Sequence, residues 1–304
     1  MTNPRKSITP NYLFPIICLF LLFGCSSPTQ TATAPVPVQT ATGTPFKQES
    51  TEEAKPTRNN PLVIQCSQPG QVQQFEIQSE KLKDNLSFSV YFPPCYGNGV
   101  QDNYPVLYLL HGQTFDNAQW QKLGLLEMAN QIIQSGRTIP FLIVMPLEKF
   151  YYRSPEGNAF PPALTDELIP WMETNLHAGN QKKWRAIGGI SRGASWAIRL
   201  GLQQYKLFGA VGGHSLPTFD GDLKLLPDWL DAIPAGMAPR IYIDIGRSDP
   251  EVDSAIKFEN VLNQHGILNE WHLNEGLHNE DYWRLHIQEY LDWYTLSWRI
   301  LPVQ

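Results

Sequence analysis

The chain has 304 residues, of which 42% are hydrophobic, 12% aromatic and 17% charged, a balance that fits one globular domain carrying some additional unstructured length. Its formal net charge is −6, and Lys and Arg form no dense run anywhere. That excludes the basic footprint of a nucleic-acid binder and a polybasic membrane patch.

At the start of the chain, Arg5 and Lys6 precede an apolar run over residues 13–23, too short to span a bilayer but suited to the core of a secretory signal. The run ends in LLFGCSS, which resembles the bacterial lipobox. That resemblance implies a signal peptide over residues 1–24 and a Cys25 that becomes the acylated first residue; an ordinary signal peptide or an uncleaved anchor are the alternatives. Each buried CH₂ of an acyl chain contributes about 0.8 kcal/mol, so several chains on Cys25 anchor the protein. The expected location is a bacterial cell envelope, facing the extracytoplasmic side.

Residues 25–60 are rich in Thr, Pro, Gln and Ala and nearly devoid of large apolar side chains. Such a stretch cannot bury enough surface to offset the entropy of ordering it, and it reads as a disordered tether. The folded domain then covers residues 61–304. Within it only Cys66 and Cys95 remain, and an even pair in an exported protein reads as a disulfide, worth about 3.5 kcal/mol on a chain-entropy estimate; two free buried thiols are the alternative. No His-Cys cluster surrounds them, so no zinc site is expected there, and no other metal or cofactor is expected.

Further along, LSFSVYFPP alternates apolar and polar residues as a half-buried strand does, while PVLYLLHG, PFLIVMP, WRAIGGIS, FGAVGGHS and RIYIDIG are short apolar runs stopped by Gly or Pro. Continuous runs of that kind suit parallel strands covered on both faces. Helical periodicity occupies residues 123–133, 164–176, 194–204, 254–264 and 280–298, with Pro170 starting or kinking the second helix. This alternation predicts a three-layer α/β domain with a mainly parallel central sheet and antiparallel strands near residues 71–92. Ligands bind beyond the carboxyl ends of the strands in such sheets, so the chemistry is expected in the loops that follow them.

Gly189-Ile190-Ser191-Arg192-Gly193 lies between an expected strand and an expected helix, the setting of a nucleophile elbow. A serine hydroxyl is a poor nucleophile at neutral pH and needs a base and an orienting acid, here in the order Ser, Asp or Glu, His. Asp249 follows the strand RIYIDIG and His278 follows a strand containing His272, whereas Asp244 lies inside its strand and reads as a partner for neighbouring polar groups. The oxyanion requires two donors. The backbone N–H of Arg192 and that of Gln113, with Thr114 in reserve, are the candidates, while His111 and Gly112 shape the turn. The Arg192 side chain either binds an acidic group or forms a salt bridge. Residues 150–162 form an aromatic, proline-bearing loop, and Tyr151, Tyr152, Trp120 and His214 are the candidate substrate contacts, with Trp196 more suited to packing.

Taken together, YLLHG, GGISRGASWAIRLG, LFGAVGGHS, IDIGRSD and EGLHNEDYW resemble the esterase D-like family of α/β-hydrolases, which includes feruloyl esterases, enterochelin esterases, S-formylglutathione hydrolases and mycolyltransferases. The resemblance spans roughly residues 70–300 and implies an α/β-hydrolase fold with Ser191 as nucleophile, Asp249 as acid and His278 as base. Two departures stand out: Gln113 where many relatives have a small residue, and Arg192 where a small or apolar residue often follows the nucleophile. The expected activity is serine carboxylic-ester hydrolysis through an acyl-enzyme, acting on a small-molecule ester. Acyl transfer to a sugar or lipid alcohol and a non-catalytic envelope binding role are the alternatives.

Overall fold

The computed structural model describes residues 68–98 and 101–299. The expectations for the signal peptide, Cys25, the tether and Cys66 fall outside these residues.

Strands β1 (Gln71–Ser79) and β2 (Asp84–Phe92) form an antiparallel hairpin, in register from Gln71 opposite Phe92 to Ser79 opposite Asp84. β1 is half exposed, as befits the sheet edge, while β2 becomes fully buried over its second half where it enters the sheet. There it pairs antiparallel with β4 (Leu142–Pro146). The remaining strands, β3 (Val106–Leu110), β5 (Arg185–Ile190), β6 (Ala210–His214), β7 (Arg240–Gly246) and β8 (Glu270–Asn274), are parallel. The sheet order is β1-β2-β4-β3-β5-β6-β7-β8.

Every residue of β3, β4, β5 and β6 is buried, which is why their sequences read as apolar runs, polar only at Arg185 opening β5 and His214 closing β6. Their pleat divides the core in two. Val106, Tyr108 and Leu110 join a cluster with α5 (Arg192–Gln203), α6 (Asp222–Asp231) and α7 (Val252–Gln264), whereas Leu107 and Leu109 join one with α2 (Leu125–Gln134) and α8 (Glu280–Tyr294). Burying each such side chain contributes about 1.5–3 kcal/mol. The sheet is thus clamped between two helical layers, and its carboxyl edge becomes a fixed platform for the loops above it.

Four elements differ from the periodicity reading. The segment expected as one helix over 164–176 is a π-helical turn at Leu164–Leu168 followed by α4 (Ile169–Asn175), and the short α3 (Phe160–Ala163) runs directly into it. Pro170 sits in the first turn of α4, where its missing N–H costs little. The last helix ends at Tyr294 and tightens into a 3₁₀ turn over Thr295–Trp298. Helix α6 is not visible in the sequence pattern, because Pro227 lies inside it, and a proline there argues against a helix. A short α1 (Gln119–Lys122) precedes α2.

Candidate active site

Ser191 directly follows β5 and caps α5 with φ 54° and ψ −123°, a backbone conformation that costs a non-glycine residue about 1–3 kcal/mol. The surroundings hold it there. Its N–H donates to the His214 carbonyl at 2.9 Å, and the flanking glycines allow the chain to fold back on itself. A Cβ on Gly189 would meet the Gly193 carbonyl carbon at 2.2 Å, and one on Gly193 would meet the carbonyl oxygens of Leu110 and His111 at 2.4 and 2.6 Å.

Above this turn three side chains from separate loops converge. His278 Nε2 lies 2.9 Å from Ser191 Oγ, and His278 Nδ1 lies 2.8 Å from Asp249 Oδ2. The Asp249 side chain is fully buried, while 23% of the His278 side chain is exposed; the imidazole is therefore reachable and the carboxylate is not. Burial pushes the Asp249 carboxyl up, but hydrogen bonds from His278, the Glu251 N–H and the Ser215 hydroxyl outweigh it and hold the group below its ordinary value. The Ser215 hydroxyl also accepts from Trp283 Nε1 at 2.9 Å, and the Trp283 ring stands edge-on to the His278 imidazole at 5.3 Å. Ser215 and Trp283, neither of them singled out in the sequence, thus brace the Asp249 carboxylate and the His278 imidazole.

The candidate oxyanion donors come from two loops beside the nucleophile. Arg192 is the first residue of α5, so its N–H has no acceptor within the helix. Gly112, whose carbonyl belongs to the same peptide as the Gln113 N–H, lies so near that a Cβ built on it would be 3.6 Å from Ser191 Cβ. Thr114 follows with φ 69°. Gly112 N–H donates to Gln119 Oε1, and Phe115 N–H donates to the Gly112 carbonyl.

Tyr151 is half-buried and Tyr152 is 69% exposed, in edge contact with one another. Their loop is tied to the residue after the nucleophile, since Arg192 Nη2 donates to the Arg153 carbonyl at 3.1 Å. Of the two readings for the Arg192 side chain, the salt bridge holds, with Glu148 as partner.

Two expected substrate contacts need correction. Trp120 is 1% exposed and its indole N–H donates to the Leu110 carbonyl within the core. His214 is fully buried, because the pleat of β6 turns its side chain toward α8. There His214 Nδ1 meets Asp244 Oδ1 at 2.6 Å and Nε2 meets the Tyr294 hydroxyl at 2.9 Å, while Tyr282 and Tyr290 both donate to Asp244 Oδ2 at 2.8 Å. Asp244 is therefore locked into the core and lies apart from His278. Burial, reinforced by the Asp244 charge, pushes the Tyr282, Tyr290 and Tyr294 hydroxyls up, so they remain proton donors. Trp196 is packed at 1% exposure, and His272 stacks on Tyr242 at the sheet edge.

The family model described as Putative esterase matches residues 79–294. The chain belongs to this esterase family. Over 228 residues it is 29% identical to the endo-1,4-beta-xylanase/feruloyl esterase of Xylanibacter ruminicola, which covers 69% of this chain and 29% of that protein. It is 23% identical to the acetyl esterase of Caldicellulosiruptor saccharolyticus, covering 73% of this chain and 97% of that protein. The chain spans only about a third of the length of the first curated relatives, 29% and 34%.

Among solved structures, a ferulic acid esterase superposes with a TM-score of 0.65 at 21% identity, covering 75% of this chain and 98% of that one. The fluorophosphonate-binding serine hydrolase F of Staphylococcus aureus does so with a TM-score of 0.61 at 16% identity, covering 75% and 99%. At these identities the superpositions establish the α/β-hydrolase fold that the family shares.

Proposed function

We propose that this family member is a serine carboxylic-ester hydrolase. The observation that carries the reading is the unbroken path from Ser191 Oγ through the His278 imidazole to the buried Asp249 carboxylate, at 2.9 and 2.8 Å. Ser191 Oγ attacks the ester carbonyl and gives its proton to His278 Nε2, while Asp249 holds Nδ1 and stabilises the imidazolium. The N–H groups of Arg192 and Gln113 receive the negative charge of the tetrahedral intermediate. His278 then protonates the departing alcohol, activates a water molecule against the acyl-enzyme, and returns the proton to Ser191 as the acid leaves. The loop bearing Tyr151 and Tyr152 walls the substrate.

The names of the relatives, a feruloyl esterase and an acetyl esterase, support an ester substrate. Steady-state hydrolysis of p-nitrophenyl acetate tests the reading. Wild type should turn over, and Ser191→Ala should lower kcat by about 10⁴-fold or more; a Ser191→Ala protein as active as wild type overturns it.

The same proposal places the enzyme on the extracytoplasmic side of a bacterial envelope through acylated Cys25, with a Cys66–Cys95 disulfide at the start of the domain. The lipobox resemblance and the even cysteine pair support these points. Cys25→Ser should release the protein from membranes, and retention of that variant on the membrane overturns the anchor.

A further inference from the structure

Arg192 departs from the small or apolar residue expected after the nucleophile, and its side chain is nearly as buried as the strand beneath it. Nε and Nη2 reach Glu148 Oε2 and Oε1 at 2.9 and 2.6 Å, a two-point pair in which the side chains are 9% and 4% exposed. The guanidinium rests against the Trp196 and Phe219 rings, 5.6 and 5.2 Å from their centroids. Glu148 in turn donates its N–H to His111 Nε2 at 2.9 Å. An accepting Nε2 leaves the imidazole proton on Nδ1, which donates to the Gly112 carbonyl at 2.8 Å.

The far end of this chain of contacts carries its meaning. The Gly112 carbonyl and the Gln113 N–H belong to one trans peptide unit and point in opposite directions. Holding the carbonyl toward His111 therefore aims the Gln113 N–H the other way, on a loop whose Gly112 borders Ser191. The near end is Arg192 itself, whose own N–H is the second donor. One strap of side chains links the two peptide units that must face a single oxyanion, and its Nη2 bond to the Arg153 carbonyl ties in the loop of Tyr151 and Tyr152.

We propose that Arg192, Glu148 and His111 are positioning residues that hold the two oxyanion donors in register with each other. The inference rests on the esterase reading of Ser191. A buried ion pair is a poor way to gain stability, because desolvating the two charges offsets their attraction and apolar replacements of similar size are often as stable or more so. What such a pair provides is direction: a planar guanidinium and a carboxylate fix each other's orientation at two points. Donors must lie within about 0.5 Å of the productive position to serve a transition state, and here they come from loops that follow different strands.

The test replaces the pair with apolar residues of similar volume, Arg192→Met with Glu148→Leu, in the full chain. The double variant should melt at or above the wild-type temperature. Its kcat for p-nitrophenyl acetate should fall about 100-fold, the scale of losing one oxyanion donor, with KM changed less than threefold. The inhibition constant of an alkyl trifluoromethyl ketone, which forms a tetrahedral adduct on serine, should weaken by the same factor as kcat/KM. Arg192→Lys, which keeps the charge and loses the two-point geometry, covers the case in which the double variant does not fold and should lower kcat at least 10-fold. Wild-type kcat in a folded double variant, or in Arg192→Lys, overturns the proposal and leaves the esterase reading standing. A wild-type chain that neither hydrolyses the ester nor binds the ketone overturns both.

Discussion

Asp244 and Asp249 stand five positions apart in the chain, yet they belong to separate hydrogen-bond networks. Asp244 is enclosed by His214, Tyr282 and Tyr290, whereas Asp249 meets the imidazole that reaches Ser191. Substituting each by Asn separates their roles. Asp249→Asn should cost about 10⁴-fold in kcat by placing the imidazole in the wrong tautomer, with a small change in melting temperature. Asp244→Asn should cost about 3 kcal/mol of stability, because it breaks a buried charged network, and should leave kcat of the folded protein within tenfold. Steady-state kinetics and thermal melts on both variants check this, and the reverse pattern transfers the acid's role to Asp244.

The elbow depends on the absence of a side chain at Gly193. A methyl group there collides with two backbone carbonyls, those of Leu110 and His111, and backbone cannot swing aside as a flexible side chain can. Gly193→Ala should displace Ser191 and lower kcat/KM by about 100-fold, the scale associated with a 1 Å misplacement of reacting groups. Kinetics on the soluble variant check it; an unaffected kcat/KM shows that the turn tolerates the shift.

His111 gives the fold a dependence on pH. Burial is the main influence and lowers its pKa below the ordinary histidine value, against smaller opposing contributions from the Gly112 carbonyl and Glu148. A group whose folded pKa is depressed contributes its stability fully above the unfolded value, about 6.5 for histidine, and loses that contribution as pH falls toward and through the folded value. The stability of wild type minus that of His111→Gln should therefore shrink as pH is lowered from 8 to 5. Urea unfolding of both proteins across that range measures the difference, and a difference that grows on acidification contradicts the burial argument.

The fold was largely legible because β3, β4, β5 and β6 are buried on both faces and leave short, mainly apolar runs. For the site, position relative to strand ends was the useful signal: Asp249 and His278 lie just past β7 and β8, Asp244 within β7. The same double burial hid the direction of individual side chains. A strand with no polar face does not reveal its pleat, so His214 could not be told from a residue facing the substrate. Trp120 was misread for a related reason, since an aromatic in a loop-to-helix segment carries no mark of facing inward. Helix α6 was masked by Pro227. Glu148 is one acid in an otherwise ordinary loop, and only the burial of Arg192, 44 residues later, gives it a role.

The most direct measurement is intact-mass and peptide-mapping analysis after exposure to a fluorophosphonate. The account predicts one adduct per chain, located on Ser191, and greatly slowed labelling in His278→Ala. An adduct that forms on Ser191→Ala at the wild-type rate, or that maps to another residue, contradicts it.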